Sequence, residues 1–261
     1  MAGAGEARML GEARRQRILE WMQEEGSARV RSLAEAFSVS EVTVRQDLEK
    51  LEADGHVTRE HGGAFLKSVP QQVRAMALHH LVNMAEKRAI GRAAAAMIGN
   101  EETVILDSGS TTTELAKELV GREHLTVITN ALNIALILGG EPTCEIHMPG
   151  GQFKAPTLSL SGERSADYFK GLFAQKLFLA TAAVSVEAGL TFPALSDLSV
   201  KHAMIDAASE VYLLADSTKI GKRSFSSLGP IGMIHTLITD SGITDADRGA
   251  FEDAGVKVVV A

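Results

Sequence analysis

Apolar residues Ile18, Trp21 and Met22 recur at spacings of three and four, which predicts an amphipathic helix over residues 12–25, stopped by Gly26. Leu33, Ala34 and Phe37 give a second short helix over about 31–37. Ser38-Val39 reads as a tight turn. Ser40 is placed to cap a third helix that runs to about Asp54 and ends at Gly55. Within that helix Val44, Leu48 and Leu51 fall at i, i+4 and i+7 and form the inward stripe. Val42, Arg45, Gln46 and Glu49 therefore face outward, with Thr43 at their flank. The stretch "HVTREHGGAFL" alternates, breaks at Gly62-Gly63 and alternates again, a β-hairpin pattern.

The period changes after residue 83. Residues 1–10 read as a disordered leader, and 67–83, with Pro70, two glutamines and two adjacent histidines, as a connector that becomes helical. An alanine-rich helix over about 84–98 then leads into "TVILD", "LTVIT", "CEIHMPGG", "KLFLATAAV", "VYLLADSTK", "HTLITD" and "KVVVA" as strands. Helical patterns such as "STTTELAKEL", "ALNIALIL", "SDLSVKHAMIDAAS" and "DADRGAFEDA" fall between them. Apolar strands alternating with helices predict a mostly parallel sheet covered on both faces. The expected class is α/β. It has three parts: a small helical unit with a hairpin (1–66), a connector (67–83) and a Rossmann-like α/β unit (84–261).

Composition narrows this picture. The 261 residues are 45% hydrophobic and 23% charged, enough for ordinary cores in two domains. The single cysteine, Cys144, has no partner for an intramolecular disulfide, and no secretory segment opens the sequence, so a reducing cytoplasm is expected. Apolar runs such as 177–184 fall well short of the roughly 20 residues needed to span a bilayer. The net charge of −7 argues against indiscriminate coating of nucleic acid. Residues 29–67 carry six Lys/Arg against seven Asp/Glu, so any positive face there must come from how the charges are sorted.

Two stretches carry candidate chemistry. The third helix places Arg45 and Gln46 in its first turns, where a helix entering a major groove makes its contacts. Arginine pairs with guanine edges and glutamine with adenine edges. Ser40, Thr43 and the helix N-terminus suit phosphate oxygens. The hairpin would lie alongside as a wing, with Arg59 and His61 reaching the backbone or minor groove, and with Gly62 allowing a tight tip. The competing reading is a structural three-helix bundle whose charges are only solvated.

The second stretch is "VILDSGSTTTELAKEL". A strand ends in Asp107, and Ser108, Gly109, Ser110, Thr111 and Thr112 open the next helix, where free N–H groups and the helix dipole favour an anion. Equally, this is how an ordinary capped strand-to-helix turn reads. Thr129-Asn130, Gly150-Gly151 and the Asp216–Lys219 segment lie beyond other strands, and Lys219 is the cation among them. Neither GxxxxGK[ST] nor GxGxxG occurs, and no spacing of His or Cys points to a metal or cofactor.

Residues 33–64, "LAEAFSVSEVTVRQDLEKLEADGHVTREHGGA", closely resemble the N-terminal signature of the DeoR family of bacterial transcriptional regulators. The resemblance rests on Val39-Ser40, Thr43-Val44-Arg45, Asp47-Leu48, Leu51, Gly55, Arg59 and His61–Ala64. It implies a winged helix-turn-helix that binds operator DNA, with Asp47 as a structural partner of an arginine. It extends through Lys87–Ile90, Asp107–Thr112, Thr129-Asn130, Gly150-Gly151, Ser161-Gly162, Gly189–Thr191 and Asp216–Gly221. That part resembles the family's sugar-sensing domain, whose fold is similar to sugar-phosphate isomerases. It implies a phosphorylated sugar as allosteric effector and a homo-oligomer, dimer or tetramer. The sequence departs from the family at Ala180–Ala183, where a glycine-containing stretch is usual, and a methyl there would narrow the pocket. The alternative function is an aldose–ketose isomerase with Asp107 or Glu187 as base.

Overall fold

Ile18 and Met22, one turn apart on helix α1 (Gly11–Glu25), are both fully buried, as their spacing requires. The computed structural model describes residues 11–25, 27–60, 62–66 and 82–261. The leader, Gly26, His61 and residues 67–81 lie outside it. Two compact units divide at Val82.

In the first unit, α1 is followed by strand β1 (Ser27–Arg29), helices α2 (Val30–Ala36) and α3 (Glu41–Ala53), and strands β2 (Val57–Glu60) and β3 (Gly63–Leu66). Leu33, Val44, Leu48, Leu51 and Val57 join Ile18 and Met22 in one core. The Ser40 hydroxyl accepts from the Thr43 N–H at 3.1 Å and so caps α3. At the other end Gly55, at φ +81°, turns the chain. Its N–H bonds Glu52 O and the His56 N–H bonds Leu51 O, which is the Schellman closure. The helix-turn-helix and its antiparallel wing are as the pattern predicts. Strand β1 was not expected. It pairs with β3, giving the order β1-β3-β2.

The second unit opens with helix α4 (Met84–Ala95). Seven strands, β4 (Thr103–Leu106), β5 (Leu125–Thr129), β6 (Cys144–His147), β9 (Ala174–Ala180), β12 (Ala208–Leu214), β14 (Thr236–Thr239) and β15 (Lys257–Val260), form one sheet. Its order is β15-β14-β12-β9-β4-β5-β6, and every neighbouring pair is parallel. Alternate strand residues enter opposite cores. Val104, Leu106, Phe178 and Tyr212 pack with α4, α5 (Ser110–Glu118) and α6 (Leu132–Leu138). Ile105, Leu177, Leu179 and Leu213 pack on the other side with α7 (Glu163–Phe169) and α8 (Leu198–Asp206). Helix α9 (Asp245–Asp253) leads into β15 and buries Phe251. The α/β class is thus met.

The sequence pattern runs together two parts that the structure separates. "KLFLATAAV" is not one strand. It breaks after Ala180, and Ala183–Ser185 (β10) joins β11 (Gly189–Phe192) and β13 (Ser226–Gly229) in a small antiparallel sheet. The Thr181 hydroxyl holds the break by donating to Ala183 O at 2.9 Å. "CEIHMPGG" ends as a strand at His147, and an unanticipated hairpin follows, β7 (Gln152–Lys154) with β8 (Ser159–Ser161).

Candidate functional sites

Val42, Arg45, Gln46 and Glu49 are all exposed on α3, opposite buried Val44, Leu48 and Leu51. Val42 is 61% exposed. Thr43 is half-buried, its hydroxyl 2.8 Å from that of Ser40. Asp47, on the inner face, is buried and accepts from Arg14 Nε at 2.5 Å, with Arg15 at 3.6 Å. It braces α1 against α3.

The acidic residues of this unit hold the basic ones in place. Glu41 receives Arg45 Nη2 at 2.6 Å, Glu49 receives Arg59 Nη1 at 2.9 Å, and Glu52 accepts the Arg59 N–H at 2.8 Å. Such exposed pairs contribute little, roughly 0–1 kcal/mol, so exchanging a carboxylate for a phosphate or base edge costs little. The wing tip needs both glycines for different reasons. Gly62 sits at φ +83°, and a Cβ on Gly63 would lie 2.7 Å from Ala28 O on β1. His61 lies outside the described residues.

In the second unit the strand order reverses between β4 and β9, the chain running outward to β6 before returning. In open α/β sheets the crevice at such a switch point, beyond the carboxyl ends of the strands, is where ligands bind. Asp107 leaves β4 there with no exposed surface. Its Oδ2 accepts from the Ala180 N–H at 3.1 Å and forms a buried ion pair with Lys201 of α8. Lys201 is only 5% exposed, and its ammonium stands 4.6 Å from the Phe192 ring centre. The other oxygen, Oδ1, is buried without a partner among the described residues, and so is Asn130 Oδ1.

Gly109 caps α5 against the methyl of Ala180. A Cβ built on Gly109 would lie 2.5 Å from it. The Ala180 methyl thus stands against the backbone of the Ser108–Ser110 turn. Ser108, Gly109 and Ser110 stay half-buried and Thr111 is buried at the helix N-terminus. Thr112 and Thr113 donate their hydroxyls to Gly109 O, at 2.9 and 2.6 Å, and so shape the turn. Thr129 is likewise committed, donating to Leu106 O at 2.7 Å and accepting from the Ala131 N–H.

Around this point the other strand ends are tied together. Asn130 Nδ2 donates to Leu160 O at 3.1 Å. Ser165 donates to Gly150 O at 2.6 Å, and its hydroxyl fills the space where Gly151, at φ +141°, would carry a Cβ. Asp216 follows β12, and its Oδ1 accepts from Thr218 and, at 3.1 Å, from Asn83 Nδ2. Lys219 closes that turn and makes no ion pair among the described residues. It stands after β12, with β9 between that strand and β4. Lys201, Asn83 and Ser165 escaped the sequence reading. Lys201 alone left a trace, as a lysine between Val200 and Met204 on the inward face of α8.

A DeoR-like helix-turn-helix model matches residues 14–69, and the model of the DeoR C terminal sensor domain matches residues 82–241. The chain belongs to the DeoR family. Its DeoR-family relatives include an uncharacterized HTH-type transcriptional regulator, YulB, of Bacillus subtilis, 34% identical over 96% of this chain and 96% of that one. Another is the transcriptional repressor AccR of Agrobacterium fabrum, 33% identical over 95% of this chain and 96% of that one. A partial likeness to ribose 5 phosphate isomerase A of Neisseria gonorrhoeae has 13% identity and a TM-score of 0.39 over 52% of this chain and 53% of that one. Nothing about activity follows from it. As a DeoR-family member the chain is a DNA-binding transcriptional regulator with a sensor domain for a small effector, not an enzyme. Among the described residues no helix is long and apolar enough to cross a membrane, and no group of His, Cys, Asp and Glu could hold a metal ion.

Proposed function

We propose that the chain is a cytoplasmic repressor of a sugar-catabolism operon whose operator affinity is set by a phosphorylated sugar. Residues 1–66 read the operator, 67–83 transmit, and 84–261 sense. Ser40 and Thr43 hold phosphates, Arg45 and Gln46 meet base edges, Val42 packs against a thymine methyl, and Arg59, His61 and Gly62 engage the flanking backbone. A homo-oligomer, dimer or tetramer, matches a two-fold operator.

The observation that carries the effector reading is the N-terminus of α5 opening at the sheet's switch point. The backbone N–H groups of Ser110, Thr111 and Thr112 have no partner within the first helical turn and suit a phosphate. Ser108 and Gly109 precede them, and Lys219 supplies a positive charge from the end of β12, two strands away. The ligand acts through its different affinities for the DNA-competent and DNA-incompetent states. Mobility-shift titration with selected operator DNA tests this. A sugar phosphate should change operator affinity at least fivefold, and a full panel without effect would refute sugar-phosphate control.

A further inference from the structure

Asp107 and Asn130 stand side by side. Leu106 of β4 pairs in register with Thr129 of β5, so the next residues, Asp107 and Asn130, occupy the following rung on neighbouring strands. Parallel strands run about 4.8 Å apart, a short distance for two side chains on the same face. Both residues fall on the side of the sheet that carries Ile105 and Ile128, facing α7 and α8. Each holds an oxygen with no donor among the described residues, Asp107 Oδ1 and Asn130 Oδ1, and both are closed to solvent, so a ligand meets them only as the crevice opens.

Neither oxygen can turn away. Asp107 is fixed through Oδ2 by Lys201 and the Ala180 N–H. Asn130 is fixed through Nδ2 on Leu160 O, which also settles which end of the amide is the oxygen. Buried acceptors without donors are costly, and two in adjacent positions at a switch-point crevice call for a partner that brings donors. A phosphate dianion brings only acceptors and would oppose the carboxylate.

We infer that Asp107 and Asn130 form a paired acceptor for two hydroxyl groups on neighbouring carbons of the effector, so that a vicinal diol lies on β4–β5 and the phosphate lies away from Asp107. This rests on the effector reading above and gives it a direction: Asp107 belongs to the sugar end of the site, and Ser110–Thr112 to the phosphate end. Lys201 neutralises Asp107 from behind, so the diol meets an acceptor whose charge is already balanced.

Calorimetry on the full chain tests it with pentose, hexose and hexitol phosphates, their monodeoxy forms, the corresponding neutral sugars and inorganic phosphate. For the parent compound that binds, loss of either hydroxyl of one adjacent pair should weaken binding roughly tenfold to hundredfold, because a buried acceptor is left unpaired. Asn130→Ala should abolish the penalty for one of those hydroxyls. If that variant does not fold, the matched ligands on the unaltered chain decide. Deoxy forms that bind as tightly as their parents would overturn the paired acceptor while leaving sugar-phosphate sensing intact. Neutral sugars that bind and show the same deoxy penalty would sustain the paired acceptor and overturn the phosphate. Failure of every compound to bind would overturn both.

Discussion

Asp107 and Lys201 form a buried ion pair that fastens the end of β4 to helix α8 across the point where the strand order reverses. They are 94 residues apart in the chain. Removing one partner of such a pair strands the other's charge, which costs about 3–5 kcal/mol. Lys201→Met should therefore lower the unfolding free energy of the sensor domain by about that amount, measured by urea denaturation. A loss below about 1 kcal/mol would mean the pair is largely hydrated.

Gly109 is in extended backbone that any residue adopts, so its requirement is purely steric: the Ala180 methyl occupies the space. Gly109→Ala should destabilise by about 1–3 kcal/mol through overpacking and weaken effector binding. Adding Ala180→Gly should restore both. Calorimetry and thermal melts on the two variants check it, and a double variant no better than the single one would refute the steric account.

Arg45 is held at 2.6 Å by Glu41 on the exposed face of α3. Arg45→Ala should cost about 1–3 kcal/mol of specific operator affinity with the fold unchanged. Glu41→Gln should act in the opposite direction, tightening binding to any duplex by removing a charge that repels phosphate. Fluorescence anisotropy on operator and scrambled DNA separates the two effects. Equal losses on both duplexes for Arg45→Ala would take it out of base readout.

Asn83, in left-handed backbone at φ +55°, is where the chain enters the sensor domain, and its side chain donates to Asp216 Oδ1 at 3.1 Å and to Thr218 Oγ1 at 3.3 Å. The entry to α4 is thus tied directly to the turn that carries Lys219. Asn83→Ala should leave operator affinity without effector near its normal value but reduce the effector-induced change severalfold. An unchanged ratio of operator affinities with and without effector would show that the tie is only structural.

Asp240 anchors the same turn. Burial pushes its carboxyl up, but the N–H groups of Ser217 and Gly242 and the Ser217 hydroxyl outweigh that and hold it below the usual carboxylate range. A lowered folded value means stability that is complete above about pH 4, the ordinary aspartate value, and lost as pH falls through the lower folded one. Asp240→Asn should melt lower than the natural chain at pH 7, and the gap should narrow in acid. A gap independent of pH would exclude the carboxylate as its source.

Much of this architecture is legible in the residues. The faces of α3 follow from Val44, Leu48 and Leu51, its ends from Ser40 and Gly55, and the wing from alternation around Gly62-Gly63. These are local effects of helix period, capping and positive φ. Three-residue β1 carries too short a pattern to announce itself, and "KLFLATAAV" is apolar throughout, so nothing in its hydrophobicity marks the break after Ala180. Of the effector residues read from sequence, Thr112 and Thr129 have hydroxyls committed to main-chain oxygens, which side-chain type alone does not reveal.

By itself the sequence determined most of the helices and the longer strands, the outward Arg45 and Gln46, and the order of strand, turn and helix at Asp107–Thr112, because each is set by residues within one or two turns of one another. Only the tertiary structure decided which strands are neighbours. Placing β9 beside β4 makes the switch point, brings Ala180 against Gly109, and lets α8 deliver Lys201 to Asp107. Placing β5 on the other side sets Asn130 beside Asp107. Parallel pairing joins segments far apart in the chain, so its register is fixed by how both faces of the sheet pack, which no local pattern encodes.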